Sequence, residues 1–150
     1  MNSPGELRAL LVCPACLEGR LEDWPGPLRC AACGASYSVD DGIPLLLAPG
    51  VAEHTLRQAE HYDHETDAEF ETTRPFGTPR FHRALLEEKF RRSVSRLGAP
   101  PPAPALVVCG GSGMDAHLLA GVGVPTITSD VSLGAAKRAR DRAVRFGLPV

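Results

Sequence analysis

The sequence lacks any apolar run approaching the roughly 20 residues needed to cross a bilayer; its apolar stretches, such as residues 43–48, fall far short. The N-terminus also lacks the basic start and long apolar stretch of a secretory signal peptide, so the chain is expected to be cytoplasmic, with no membrane partner. An excess of either charge is missing too. Sixteen Lys and Arg against eighteen Asp and Glu give a net charge of -2 and a pI near 6.2, which leaves no global footprint for nucleic acid. The local basic run Lys89, Arg91 and Arg92 suits a solvated helix face. Aromatic residues make up only 5% of the chain, and Phe90, the aromatic inside that basic run, belongs to an apolar stripe, so no stacking platform for a single strand is left. Within 150 residues the features fall into three unequal parts, none of which could hold a large core.

What the chain has instead is cysteine in pairs. CPAC supplies Cys13 and Cys16, and CAACG supplies Cys30 and Cys33 followed by Gly34. Two residues between thiolates let one tight turn aim both sulfurs at a single ion, and a following glycine relieves that turn. Two such knuckles predict a closed tetrahedral zinc site, and in a reducing compartment paired cysteines favour metal over disulfide. Four protein thiolates leave no open position for a catalytic water, so the zinc is expected to be structural. Between the knuckles, Trp24 and the turn Pro25-Gly26-Pro27 suit a short hairpin, and Asp41-Gly42 turns the following segment into an apolar strand.

The run from LLVCPAC through LRCAACGASYSVDDGIPLLL resembles the short zinc-ribbon family whose members activate tRNA, ribosome and release-factor methyltransferases and which also occurs fused ahead of methyltransferase domains. The shared features are the paired cysteines, the aromatic after the second pair, and DGIP followed by leucines.

Residues 51–99 read as a helical connector. Helices are expected from residue 51 to about 70 and over 80–97, where Phe81, Leu85, Leu86, Phe90, Val94 and Leu97 recur at three- and four-residue steps. RPFGTP breaks them apart, Gly98 ends the second, and APPPAP follows as a stiff spacer. His54, His61 and His64, with Asp63 and Glu65, read as a solvated face, since no closed ligand set emerges. His61-Tyr62-Asp63 also resembles the "YD" element that precedes the nucleotide-binding strand in small-molecule and tRNA-modifying methyltransferases, where the lead-in closes over the methyl donor.

In the last third, ALVVC reads as a buried strand, with Cys109 as a buried strand-end residue. Gly110, Gly111, Ser112 and Gly113 make a turn, a helix begins near Asp115, and a second strand ends at Asp130. Ser132 then caps a helix to about Phe146 that carries Lys137, Arg138, Arg140, Arg142 and Arg145. Glycines at the first turn let a ligand lie against the backbone, while a carboxylate at the tip of the next strand can accept hydrogen bonds from a ribose. The pattern G-x-G-x-x-A fits NAD or FAD equally.

ALVVCGGSG resembles the first motif of class I S-adenosyl-L-methionine-dependent methyltransferases, and ITSDVSLGAAKRARDRA their second acidic strand and helix. The resemblance implies that Gly111 and Gly113 contact the methionine part of the donor and Asp130 its ribose, with Cys109, Gly110 and Ser112 as flanking backbone. It has departures: Val107 stands where the motif has an acid, Cys109 where it has a glycine, and the adenine-contacting acid and catalytic loop have no counterpart by Val150.

The expectation is therefore an α/β chain: a zinc ribbon over 1–50, a connector over 51–104, and the first β-α-β-α units of a Rossmann-like methyltransferase fold over 105–150. Its function would be methyl transfer from a small-molecule donor to an unidentified acceptor. No catalytic residue can be named, and a protein partner or a missing C-terminal part would complete the sheet. The alternatives are a non-catalytic zinc-binding partner or activator of a methyltransferase, and a fragment of an NAD- or FAD-dependent oxidoreductase.

Overall fold

The computed structural model describes residues 4–64, 79–97 and 104–148. The chain is mixed α/β and divides into two compact units, Met1–Gln58 and Ala59–Val150. No helix among the described residues is long and apolar enough to cross a membrane.

The first unit opens with helix α1 (Pro4–Leu10) and continues into three short strands, β1 (Leu21–Glu22), β2 (Leu28–Cys30) and β3 (Ser36–Tyr37). They form an antiparallel sheet in the order β1-β2-β3, with Leu21 opposite Cys30 and Leu28 opposite Tyr37. The two-residue alternation of a strand turns Leu28 and Cys30 inward and Arg29 outward. The core of this unit is Cys13, Leu21, Leu28, Cys30 and Tyr37, with Trp24 packed against it. Two of those five are cysteines of the paired motifs, so the apolar core alone is very small.

Strands β4 (Val39–Asp40) and β5 (Ile43–Pro44) then form a separate hairpin. Asp41 and Gly42 both have positive φ, 50° and 79°, the backbone twist that two-residue hairpin loops require.

Helix α2 spans Glu53–Asp63, shorter at its start than expected, and His54, His61 and His64 are exposed. Glu65, the stretch to residue 70, most of RPFGTP, Gly98 and most of the proline spacer lie outside the described residues.

In the second unit, α3 (Arg80–Ser95) matches the expected helix, but its apolar stripe does not become core. No residue of α3 is buried, and Phe81, Leu85 and Leu97 are exposed. Strands β6 (Ala105–Val108) and β7 (Thr126–Ser129) pair in parallel, from Ala105 opposite Thr126 to Val108 opposite Ser129. The crossover between them is α4 (Met114–Gly121), which buries Ala116, His117, Leu118 and Ala120.

Helix α5 (Leu133–Phe146) follows β7. Ser132 caps it by accepting from the Ala135 N–H at 2.9 Å, and Gly147, at φ 60°, ends it. Its inward stripe is Ala135, Ala139 and Ala143, spaced one helical turn apart and small enough for the glycine turn to approach closely.

Candidate metal centre and the glycine turn

The two knuckles bring all four paired sulfurs into one cluster. Cys13 and Cys33 Sγ lie 3.6 Å apart, Cys16 and Cys30 Sγ 3.7 Å, and all four lie within 4.8 Å of one another. A tetrahedral zinc with Zn–S bonds of about 2.3 Å needs sulfurs about 3.8 Å apart, which the Cys13–Cys33 and Cys16–Cys30 separations match. Among the described residues no other group of histidine, cysteine and carboxylate side chains has metal-binding spacing.

Local backbone shapes both halves. The Gly19 N–H donates to Cys16 Sγ and the Cys33 N–H to Cys30 Sγ, each at 3.4 Å. After the second knuckle Gly34 takes φ 75°, as its glycine predicts, whereas after the first the same left-handed conformation falls on Leu17 at φ 62°. Gly19 is fixed by space. A Cβ there would overlap Cys30 Sγ and come within 2.9 Å of the Ala32 Cβ.

The electrostatics suit a cation. Burial alone would push the Cys13 thiol up, but the Tyr37 hydroxyl, the backbone of Cys16 and Ala15, and Cys33 outweigh it and hold Cys13 at about 6. The backbone of Glu18 and Gly19 lowers Cys16. The Ala35 backbone lowers Cys33, but Cys30, burial, Cys13 and Cys16 together drive it the other way, to about 12. Four thiols in one small sphere cannot all ionise against one another, and a divalent ion among them removes that penalty.

The second candidate site lies at the C-terminal ends of β6 and β7. Asp130 spans the turn: Oδ2 accepts from the Gly111 N–H at 2.9 Å and Oδ1 from the Ser132 N–H at 3.0 Å. The glycines have different roles. A Cβ at Gly110 would overlap the Thr128 hydroxyl, and one at Gly113, which has φ 80°, would sit 2.8 Å from the Ala139 Cβ. Both glycines therefore serve close packing within the chain. Gly111, at φ 52°, has nothing within 4 Å of its Cβ direction, so its side of the turn is open.

Cys109 departs from its expected buried position. It is exposed and adopts φ 53°, where the chain turns out of β6 before the glycines. Val107, the position without the motif's acid, is partly buried in β6. Ser112 is buried, and its carbonyl accepts from Arg142 Nε at 2.8 Å.

Three contributors escaped the sequence pattern. Arg142 reads as one of several basic residues on α5, yet it is 1% exposed beneath the turn. His117 is buried with its ring edge-on to Phe146. Asp63 reaches the start of α5, where Oδ1 accepts from Ser132 Oγ at 2.6 Å and from the Gly134 N–H at 2.7 Å, and the neighbouring Tyr62 carbonyl accepts from Arg138 at 2.7 Å. The HYD element is thus an anchor onto α5. The sequence marked this segment through its YD resemblance, but not its contact with α5.

Knuckle geometry, a small antiparallel sheet and four converging sulfurs define the first unit as a small four-cysteine, ribbon-like protein. A UPF0434 protein of Teredinibacter turnerae is 40% identical over 62 residues, covering 39% of this chain and 94% of the relative, and the match lies in the N-terminal part. Through that part the chain belongs to the UPF0434 family. No protein-family model and no solved structure matches the chain.

Proposed function

We propose that the first unit is a structural zinc ribbon and that the chain acts as a non-catalytic zinc-binding partner protein, whose partner is a methyltransferase. One observation carries the zinc reading: four sulfurs within 4.8 Å of one another, with Cys13–Cys33 at 3.6 Å and Cys16–Cys30 at 3.7 Å. Cys13, Cys16, Cys30 and Cys33 would hold the ion, and with every position taken by protein thiolate the ion would crosslink the fold rather than activate water. The partner reading draws support from the resemblance of the ribbon to methyltransferase activators. The test has two arms. Metal analysis of the purified chain should give one zinc, lost in Cys30→Ser. Methyl transfer from radiolabelled S-adenosyl-L-methionine should be absent with the chain alone and rise when the chain is added to its partner enzyme; a chain that methylates acceptors by itself would overturn this reading.

A second reading, that the second unit binds a nucleoside-containing donor such as S-adenosyl-L-methionine, is favoured by the position of Asp130 beside the glycine turn at the strand ends, where it accepts from the Gly111 N–H and the Cβ direction of Gly111 is open. Cys109, Gly110, Ser112 and Gly113 would then be the surrounding backbone. Calorimetric titration with S-adenosyl-L-methionine and with NAD tests it. Saturable binding of the first, lost in Asp130→Ala, supports a methyl-donor site; binding of NAD instead supports a dinucleotide site; binding of neither removes the reading.

A further inference from the structure

Among the described residues, Tyr37 is the one polar side chain in the core of the first unit that is not a paired cysteine. Its hydroxyl lies 3.1 Å from Cys13 Sγ, and the residue is only 7% exposed, so that contact is made away from bulk water. Its position is fixed from both sides. Tyr37 pairs with Leu28 across β2–β3, and β2 runs directly into Cys30, so the sheet register that aims the second knuckle also aims the hydroxyl. Cys13 itself is 0% exposed. A metal-bound thiolate there can only accept a hydrogen bond, and the phenol can donate one.

We infer that Tyr37 is a positioning residue of the metal centre, its O–H donating to the buried Cys13 thiolate and so holding that sulfur as a ligand. The physical reason is that a buried sulfur anion needs hydrogen-bond donors to replace water. The other sulfurs differ in their surroundings: Cys16 and Cys30 receive backbone N–H groups, and Cys33 is exposed. Partners of metal ligands commonly govern affinity by about 10- to 100-fold. The inference rests on the zinc reading above, and its test separates the two.

The experiment compares the full chain with Tyr37→Phe, which keeps the ring in the core and removes only the hydroxyl. Zinc and cobalt(II) affinities are measured by competition with a chromophoric chelator, and the sulfur-to-cobalt charge-transfer bands are recorded. Tyr37→Phe is expected to bind one ion with the same strand and helix content, to lose affinity by about 10-fold or more, and to shift the charge-transfer band to lower energy, because a thiolate without its donor gives up an electron more easily. Unchanged affinity and an unshifted band would overturn the role of Tyr37. Failure of the unsubstituted chain to bind either ion would instead overturn the zinc reading.

Discussion

Replacing Gly113 by alanine tests whether the glycine turn is shaped by packing within the chain. Gly113 has φ 80° and ψ 24°, and an added Cβ would sit 2.8 Å from the Ala139 Cβ and 3.1 Å from its Cα. Carbon atoms need about 3.5–4.0 Å, so α5 must move off the turn by nearly an ångström. The left-handed backbone costs a non-glycine residue about 1–2 kcal/mol, and the overpacking adds about 1–3 kcal/mol. Gly111→Ala is the internal control. It carries the same backbone cost at φ 52° but meets nothing within 4 Å, so only the first part applies. The difference between the variants is therefore the packing part alone. At about 1.5 kcal/mol per molar urea, their unfolding midpoints should differ by about 0.7–2 M. The assay is far-UV circular dichroism, whose signal comes mainly from α2 to α5. Equal midpoints for the two variants would refute the close approach of α5.

Other perturbations have defined outcomes. Asp63→Ala removes the acceptor for Ser132 Oγ and the Gly134 N–H and should cost about 1–2 kcal/mol, read as faster exchange of the Gly134 amide; Asp63→Asn, which keeps an acceptor oxygen, should lose less. Burial first, and the Arg142 charge second, hold His117 below its ordinary range. The unfolded chain therefore takes up a proton there before the folded one does, so stability is fully present above about pH 6.5 and falls as the pH drops from there to the lowered folded value. His117→Phe should flatten that fall in urea midpoints measured between pH 7.5 and 5.5, and an unchanged slope would count against the buried neutral imidazole. Metal removal by a strong chelator should unfold the first unit, read from emission of Trp24, the chain's only tryptophan. Leu28→Ala, truncating a side chain that is 0% exposed, should cost about 2–5 kcal/mol yet remain folded when zinc-loaded, since structural zinc contributes about 10–16 kcal/mol.

The parts legible in the sequence are those whose physics is local. Cys-x-x-Cys spacing dictates a knuckle, Asp41-Gly42 a tight hairpin, and Ser132 with Gly147 the two ends of α5, so these features occupy the residues expected of them. The order strand, glycine turn, helix, strand likewise led to a parallel pair, β6 and β7. What was not legible depends on partners distant in sequence. Arg142 sits beneath the carbonyl of Ser112, thirty positions away, and nothing in its helical neighbours distinguishes it from the half-buried Arg140 or the exposed Arg145. The link from Asp63 to Ser132 spans 69 positions and has no periodicity to reveal it. ALVVC failed on burial as a whole: an apolar run suggests a buried strand, but β6 buries none of its residues, Leu106 and Val108 are exposed, and the chain leaves the strand before Cys109 in a conformation side chains seldom adopt. The stripe on α3 has helical spacing without burial, because periodicity defines a face and not what covers it. At the candidate metal centre the clustering of the four paired cysteines was readable, whereas Gly19 and Tyr37 owe their proximity to sulfur to the fold of the whole unit.

The most direct measurement is X-ray absorption at the zinc edge on the purified chain, paired with metal content. The expected result is one zinc per chain surrounded by four sulfurs at about 2.3 Å. A shell containing nitrogen or oxygen in place of any sulfur, or a chain that folds its first 50 residues with no metal bound, would contradict the four-thiolate zinc ribbon.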